Sequence, residues 1–106
     1  MSDIATLNDN FRKSFIGGQV LLTAGIAAMS SEDKANIISL VQNFDNFNED
    51  NDPYKEHDFG SFDYKGNKIF WKIDYYYRFN THFASENPAD ISKTLRILTI
   101  LLAEEY

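Results

Sequence analysis

Residues 56–77 read EHDFGSFDYKGNKIFWKIDYYY. Two aromatic-rich runs flank Lys65-Gly66-Asn67, and Gly66 supplies the positive φ that a tight hairpin turn requires. In the second run Ile69, Trp71, Ile73, Tyr75 and Tyr77 alternate with Phe70, Lys72, Asp74 and Tyr76. That period of two puts the first set on a core face and the second on a half-polar face. A β-hairpin is predicted here, and the rest of the chain must cover its apolar side.

Upstream, residues 31–44 predict a helix. Ser30 or Ser31 can cap it, Glu32 and Asp33 suit its first turn, and Ile37, Ile38, Leu40, Val41 and Phe44 form its buried side. Before it, QVLLTAGI (19–26) reads as a strand buried on both faces, a buried helix being the other reading of so short a run. Residues 3–15 predict a helix capped by Ser2, with Ile4, Leu7, Phe11 and Phe15 as its apolar stripe and Gly17-Gly18 as its stop.

Downstream, 78–90 reads as a loop. ISKTLRILTILLAEEY (91–106) fits either a helix or a buried strand. The spacing of Ile91, Leu95, Leu98 and Leu102, the entry at Pro88-Ala89-Asp90 and the closing Ala103-Glu104-Glu105 favour the helix. The order α-β-α-β-β-α predicts an α+β fold: a small antiparallel sheet of about three strands packed against about three helices. One domain over residues 1–106 is expected.

Hydrophobic residues make up 43% of the 106, enough for a core, and there is no cysteine. That excludes disulfides, thiolate zinc sites and cysteine nucleophiles. The polar, acidic start does not resemble a secretory leader, and VLLTAGIAAM and ILTILLA fall short of the roughly 20 residues that span a bilayer. A cytoplasmic protein with no membrane association is expected.

The formal net charge is −6. Asp45, Glu49, Asp50, Asp52, Glu56, Asp58 and Asp63 stand against Lys55 alone, so the segment 45–63 carries the whole imbalance. Phosphate recognition needs clustered Lys and Arg, so composition argues against direct nucleic-acid binding and towards a basic partner.

Several constellations invite chemistry. DNFNEDNDPYKE (45–56) has the oxygens of a calcium loop but lacks its central glycine and contains Pro53. His57 lies between Glu56 and Asp58 and could serve as a metal ligand or general base. On a strand, however, the two carboxylates would share one face and His57 the other, and His82 lies in a distant loop. Asp58 or Asp63 could approach Lys72 across the hairpin. FWKIDYYY (70–77) could stack bases, but basic residues do not surround it. No Walker, zincin or nucleophile-elbow pattern is present, and neither a cofactor nor a metal is assigned.

The blocks LNDNFR, GGQVLLTAGI, FDNF with DNDPYKEHDFG, FWKIDYY and RILTILLAEEY resemble, in that order, a family of short bacterial proteins known as domain of unknown function 3768. The resemblance runs over nearly the whole chain, and departs at Tyr77, where an aspartate more often follows the paired tyrosines. It implies a bacterial cytosolic protein, often encoded on plasmids or other mobile DNA, and implies no activity. Its signature positions are Asn51, Asp52, His57, Asp58, Lys72 and Asp74.

The expectation is a small acidic binding protein that engages a basic surface of a partner protein through Glu49, Asp50, Asp52, Tyr54, Glu56, Asp58, Phe70 and Tyr76. In one version the partner is a nucleic-acid-binding host-defence protein, and the acidic strip stands where a phosphate backbone would. The premise is that the carboxylates between Phe44 and Tyr64 form one external ridge. The alternative is a small enzyme or metal-binding protein centred on His57, Asp58, Lys72 and Asp74. A third reading pairs the terminal helix across a homodimer.

Overall fold

A computed structural model describes residues 3–106. In chain order the elements are α1 (Asp3–Ser14), β1 (Gly18–Leu22), α2 (Ala24–Ala27), α3 (Ser31–Gln42), β2 (Phe59–Tyr64), β3 (Asn67–Tyr77) and β4 (Thr94–Leu102), closed by a 3-10 turn at Ala103–Glu105. The fold is α+β: three α-helices and a four-stranded sheet among the described residues. The predicted cap at Ser2 lies outside them. No described helix is long and apolar enough to cross a membrane.

The hairpin forms as its pattern requires. Tyr64 faces Asn67, leaving a two-residue turn of Lys65 (φ 49°) and Gly66 (φ 82°). Positive φ at both positions is the turn geometry whose twist matches that of paired strands. Asp33 of α3 ties this turn down by accepting hydrogen bonds from the Tyr64 hydroxyl at 2.7 Å and Lys65 Nζ at 3.0 Å. The same α3 starts at Ser30, whose side chain accepts from the Asp33 N–H.

Two expectations about the sheet are corrected. It has four strands rather than about three, in the order β1-β4-β3-β2, and it is mixed rather than antiparallel, because β1 runs parallel to β4. Both follow from a third correction: the terminal segment is a strand, not a helix. β4 lies between β1 and β3, bonded to both. Such a strand can be apolar on both faces, so it loses the two-residue alternation that marks a half-buried strand. The helical spacing of Leu95, Leu98 and Leu102 was coincidental: Leu98 and Leu102 sit on one face of the sheet and Leu95 on the other. Glu105 does not extend a helix. It accepts hydrogen bonds from Thr23 Oγ1, Leu102 N and Gly25 N, which pins the C-terminus to the start of α2 and lowers the Glu105 pKa.

The core lies between the sheet and the helices. Trp71, Ile69, Ile73, Leu98 and Ile100 point inward onto Phe11 of α1, Ile26 of α2, and Ile37 and Val41 of α3. The stripe on α1 is rotated from the one predicted. Its buried residues are Ala5, Asn8, Phe11 and Arg12, while Ile4, Leu7 and Phe15 are half-buried. Polar side chains therefore enter the core from α1.

Trp71 is fully buried, and Phe44 meets it edge-on at 5.4 Å between ring centroids. Gly60 on β2 lies directly opposite Trp71. A Cβ there would sit 2.7 Å from the Phe44 ring and against the Trp71 indole nitrogen. Gly60→Ala is expected to lower stability by about 1–3 kcal/mol through overpacking, read as a fall in the urea midpoint with an unchanged slope.

Candidate functional site

The loop from Asn43 to Asp58 joins α3 to β2 and is organised by its own side chains. Asn48 Oδ1 accepts from the N–H groups of Asp50 and Asn51, and Asn51 returns the contact by accepting from Asn48 N at 2.9 Å and donating to Asn46 O. Asp52 Oδ1 accepts from Glu56 N at 2.9 Å and His57 N at 3.1 Å. Short Asx side chains replace a backbone ladder that this segment lacks. They hold Lys55 and His57 at positive φ (56° and 55°).

His57 is consequently not on a strand, and the strand argument that separated it from the neighbouring carboxylates does not apply. Its ring stacks on Phe47 with centroids 3.9 Å apart and planes parallel. Nδ1 lies 2.9 Å from Asp9 Oδ2, and Nε2 lies 3.6 Å from Asp52 Oδ2. An ionised carboxylate only accepts, so Nδ1 donates to Asp9, which fixes the ring. Asp9 also pairs with Arg12 at 2.9 Å. Arg12 is 1% exposed, its guanidinium 5.5 Å from the centre of Phe47 and 5.2 Å from that of Trp71. Two of its nitrogens, Nε and Nη1, have no hydrogen-bond partner among the described residues. Burial lowers the Arg12 pKa, and the charge of Asp9 opposes that shift. Asp9, Arg12, Phe47 and His57 form one wall of a cleft of about 550 Å³ that Lys13, Gln42, Asn43, Phe44 and Asp45 also line.

A second network lies deeper. Asn8 donates to Tyr75 Oη at 2.8 Å and to the Glu56 carbonyl at 2.9 Å, and accepts from Arg96 Nε at 2.7 Å. Tyr75 in turn donates to Glu56 Oε2. Arg96 is buried over the Tyr75 ring and donates also to the Pro88 carbonyl. Burial, and after it the neighbouring carboxylates Asp58 and Glu56, raises the Tyr75 pKa. Asp58 is pushed up to about 6, first by burial and then by the charge of Glu56.

The premise of one external acidic ridge is thereby corrected. Asp52 is 5% exposed and caps backbone, while Glu56 and Asp58 are half-buried beside Tyr75 and one another. Asp63 is exposed on the hairpin, 3.8 Å from Lys68. Asp45, Glu49 and Asp50 are exposed on the loop with Tyr54, which is 84% exposed. Phe70 and Tyr76 lie on the opposite face of the sheet, as alternation from Trp71 requires. The eight residues expected to share one surface occupy three places.

The constellation His57, Asp58, Lys72 and Asp74 does not converge either. Lys72 lies opposite Phe59, so neither Asp58 nor Asp63 reaches it; it pairs with Asp74 at 3.0 Å on the sheet face away from His57. His82 is exposed in the loop after β3. Among the described residues no group of three or more His, Asp or Glu side chains could hold a metal ion. Asn8, Asp9, Arg12, Tyr75 and Arg96 were not foreseen as site residues. The available signal was Asn8 and Arg12 at four-residue spacing, on a helix face that also carries Phe11.

This is a two-layer α+β protein with a self-braced acidic loop and a buried polar network behind it. A family model described as "Protein of unknown function (DUF3768)" matches residues 22–105, and the chain belongs to that family. Asn8, Asp9 and Arg12, which anchor the loop from α1, precede the matched segment. No curated protein and no solved structure matches the chain.

Asp58 gives the site a signed pH dependence. Its pKa in the folded protein, about 6, exceeds the ordinary 3.8. The folded state therefore binds this proton more tightly than the unfolded chain. Its contribution to stability falls as pH rises from about 4 to about 6 and stays low above that. The loss is no more than about 3 kcal/mol. Asp58→Asn, which keeps the neutral form, is expected to be more stable than the parent at pH 7 and to lose that advantage near pH 4. Urea unfolding of both proteins across this range checks it.

Proposed function

We propose that the protein is a non-enzymatic binding module that offers Asp45, Glu49, Asp50 and Tyr54 to a basic surface on a protein partner. The observation that carries this reading is the division of roles within one loop. Asn48, Asn51 and the buried Asp52 hold the backbone through their side-chain oxygens, while Glu49, Asp50 and Tyr54 face solvent. A loop ordered before contact loses less conformational entropy on binding. Exposed carboxylates steer a basic partner during encounter, and an exposed tyrosine beside them supplies contact area of the kind that anchors interfaces.

In the narrower form of the proposal the protein is bacterial, encoded on a mobile element, and acts in the cytoplasm. Its partner is a nucleic-acid-binding host-defence protein, whose basic groove accepts the loop in place of phosphates. The local charge supports this form: carboxylates without an interleaved basic cluster repel nucleic acid and attract what binds it.

The test compares the parent with Glu49→Lys/Asp50→Lys/Tyr54→Ala as baits in bacterial lysate, at low salt and at about 0.5 M salt, where screening is strong. One partner species captured by the parent at low salt, and lost both at high salt and with the triple variant, is expected. A partner retained equally by the triple variant would refute the loop as the contact surface. Asp52→Ala, which touches no partner, is expected to weaken the same capture by loosening the loop, with faster amide exchange at Glu56 and His57.

A further inference from the structure

β4 and β3 carry a contradiction that the monomer leaves open. All described helices pack on the Trp71 face of the sheet. Yet β4 is apolar on its other face as well, through Leu95, Ile97 and Leu101. A strand apolar on both sides belongs to a sheet covered on both sides. Across the register Tyr76 pairs with Leu95, Asp74 with Ile97, Lys72 with Thr99 and Phe70 with Leu101. The open face thus has two apolar ends and a charged middle. Phe70, Leu101 and Phe59 form one end, with Tyr106 packed on Phe70 at 5.7 Å between centroids; Tyr76, Leu95 and Ile97 form the other.

This arrangement is complementary to itself. Along β3 the open-face order is Phe70, Lys72, Asp74, Tyr76: aromatic, cation, anion, aromatic. A two-fold axis lying in the plane of the face and crossing β3 at Ile73 would set each strand antiparallel to its own copy. Lys72 would then meet Asp74 of the second copy, Phe70 would meet Tyr76, and on β4 Leu101 would meet Leu95. Such an isologous contact is the commonest oligomeric symmetry. The face spans roughly 20 by 30 Å from strand spacing and rise, so two copies would remove on the order of 1,200 Å² from solvent, the lower bound of a stable interface.

We propose that the open face of the sheet is the interface of a homodimer, in which Lys72 and Asp74 of one copy pair with Asp74 and Lys72 of the other. The contact covers the half-buried Leu95 and Ile97 on the outer side of β4, which no described helix covers, Leu101 being already buried within one copy. It uses the face opposite the acidic loop, leaving both loops free, and is independent of what they bind.

Sedimentation velocity of the full chain over the micromolar to millimolar range tests this. The parent is expected to dimerise. Lys72→Asp gives a copy with two anions at the centre, and Asp74→Lys one with two cations. Each alone is expected to weaken self-association by at least about tenfold. An equimolar mixture of the two should restore a one-to-one heterodimer, and Lys72→Asp/Asp74→Lys in one chain should restore the homodimer. Ile97→Glu should be monomeric, with circular dichroism showing that each variant remains folded. A strictly monomeric parent overturns the proposal. So does a dimer indifferent to both charge reversals, or a mixture that fails to associate when the parent does.

Discussion

The structure depends on the placement of β4 between β1 and β3. Its backbone bonds in parallel to one strand and antiparallel to the other. This joins the N-terminal third of the chain to the aromatic hairpin, two parts with no direct strand pairing between them. Without it the hairpin would be a two-stranded ribbon, which is marginal in water. With it, Trp71, Leu98 and Ile100 form a continuous inward surface wide enough for α1 and α3 to pack against. The contacts are long-range, and the 3-10 turn after β4 strengthens them by sending Glu105 back to α2.

α1 then does two jobs. Phe11 and Ala5 fill the core, while Asn8, Asp9 and Arg12 bring polar groups to the end of the sheet where the acidic loop descends. A buried arginine between two aromatic rings is costly unless an anion stays close, and Asp9 supplies that anion to Arg12 and to His57 together. Asp52, Glu56 and Asp58 are drawn inward into this polar region. The negative charge left outside is smaller and more local than the sequence total, and it sits on a loop whose shape is set from within.

The two faces of the sheet therefore differ in kind. One is closed by helices and a polar network, with the exposed part of the acidic loop at its margin. The other is open, apolar at both ends, and charged at its centre in an order that reverses onto itself. That difference is why the two proposed surfaces, one for a partner on the loop and one for self-association on the sheet, do not compete in a chain of 106 residues.

Much was legible in the amino-acid order because it is local. The Lys65-Gly66 turn, the alternation through Trp71, the Ser30 cap of α3 and the absence of cysteine chemistry each depend on residues within a few positions of one another. Three things were decided only by tertiary structure. β4 took the strand state because its partners are distant in the chain, and apolar residues on both sides erase the period that would announce it. The acidic ridge broke up because the inward turn of Asp52, Glu56 and Asp58 depends on Asp9 and Asn8 of α1 and on Tyr75 and Arg96 of the sheet, none of which is adjacent in sequence. His57 met Asp9 because a left-handed backbone, imposed by the Asx bonds of its loop, set its ring against α1, a partner far away in the chain.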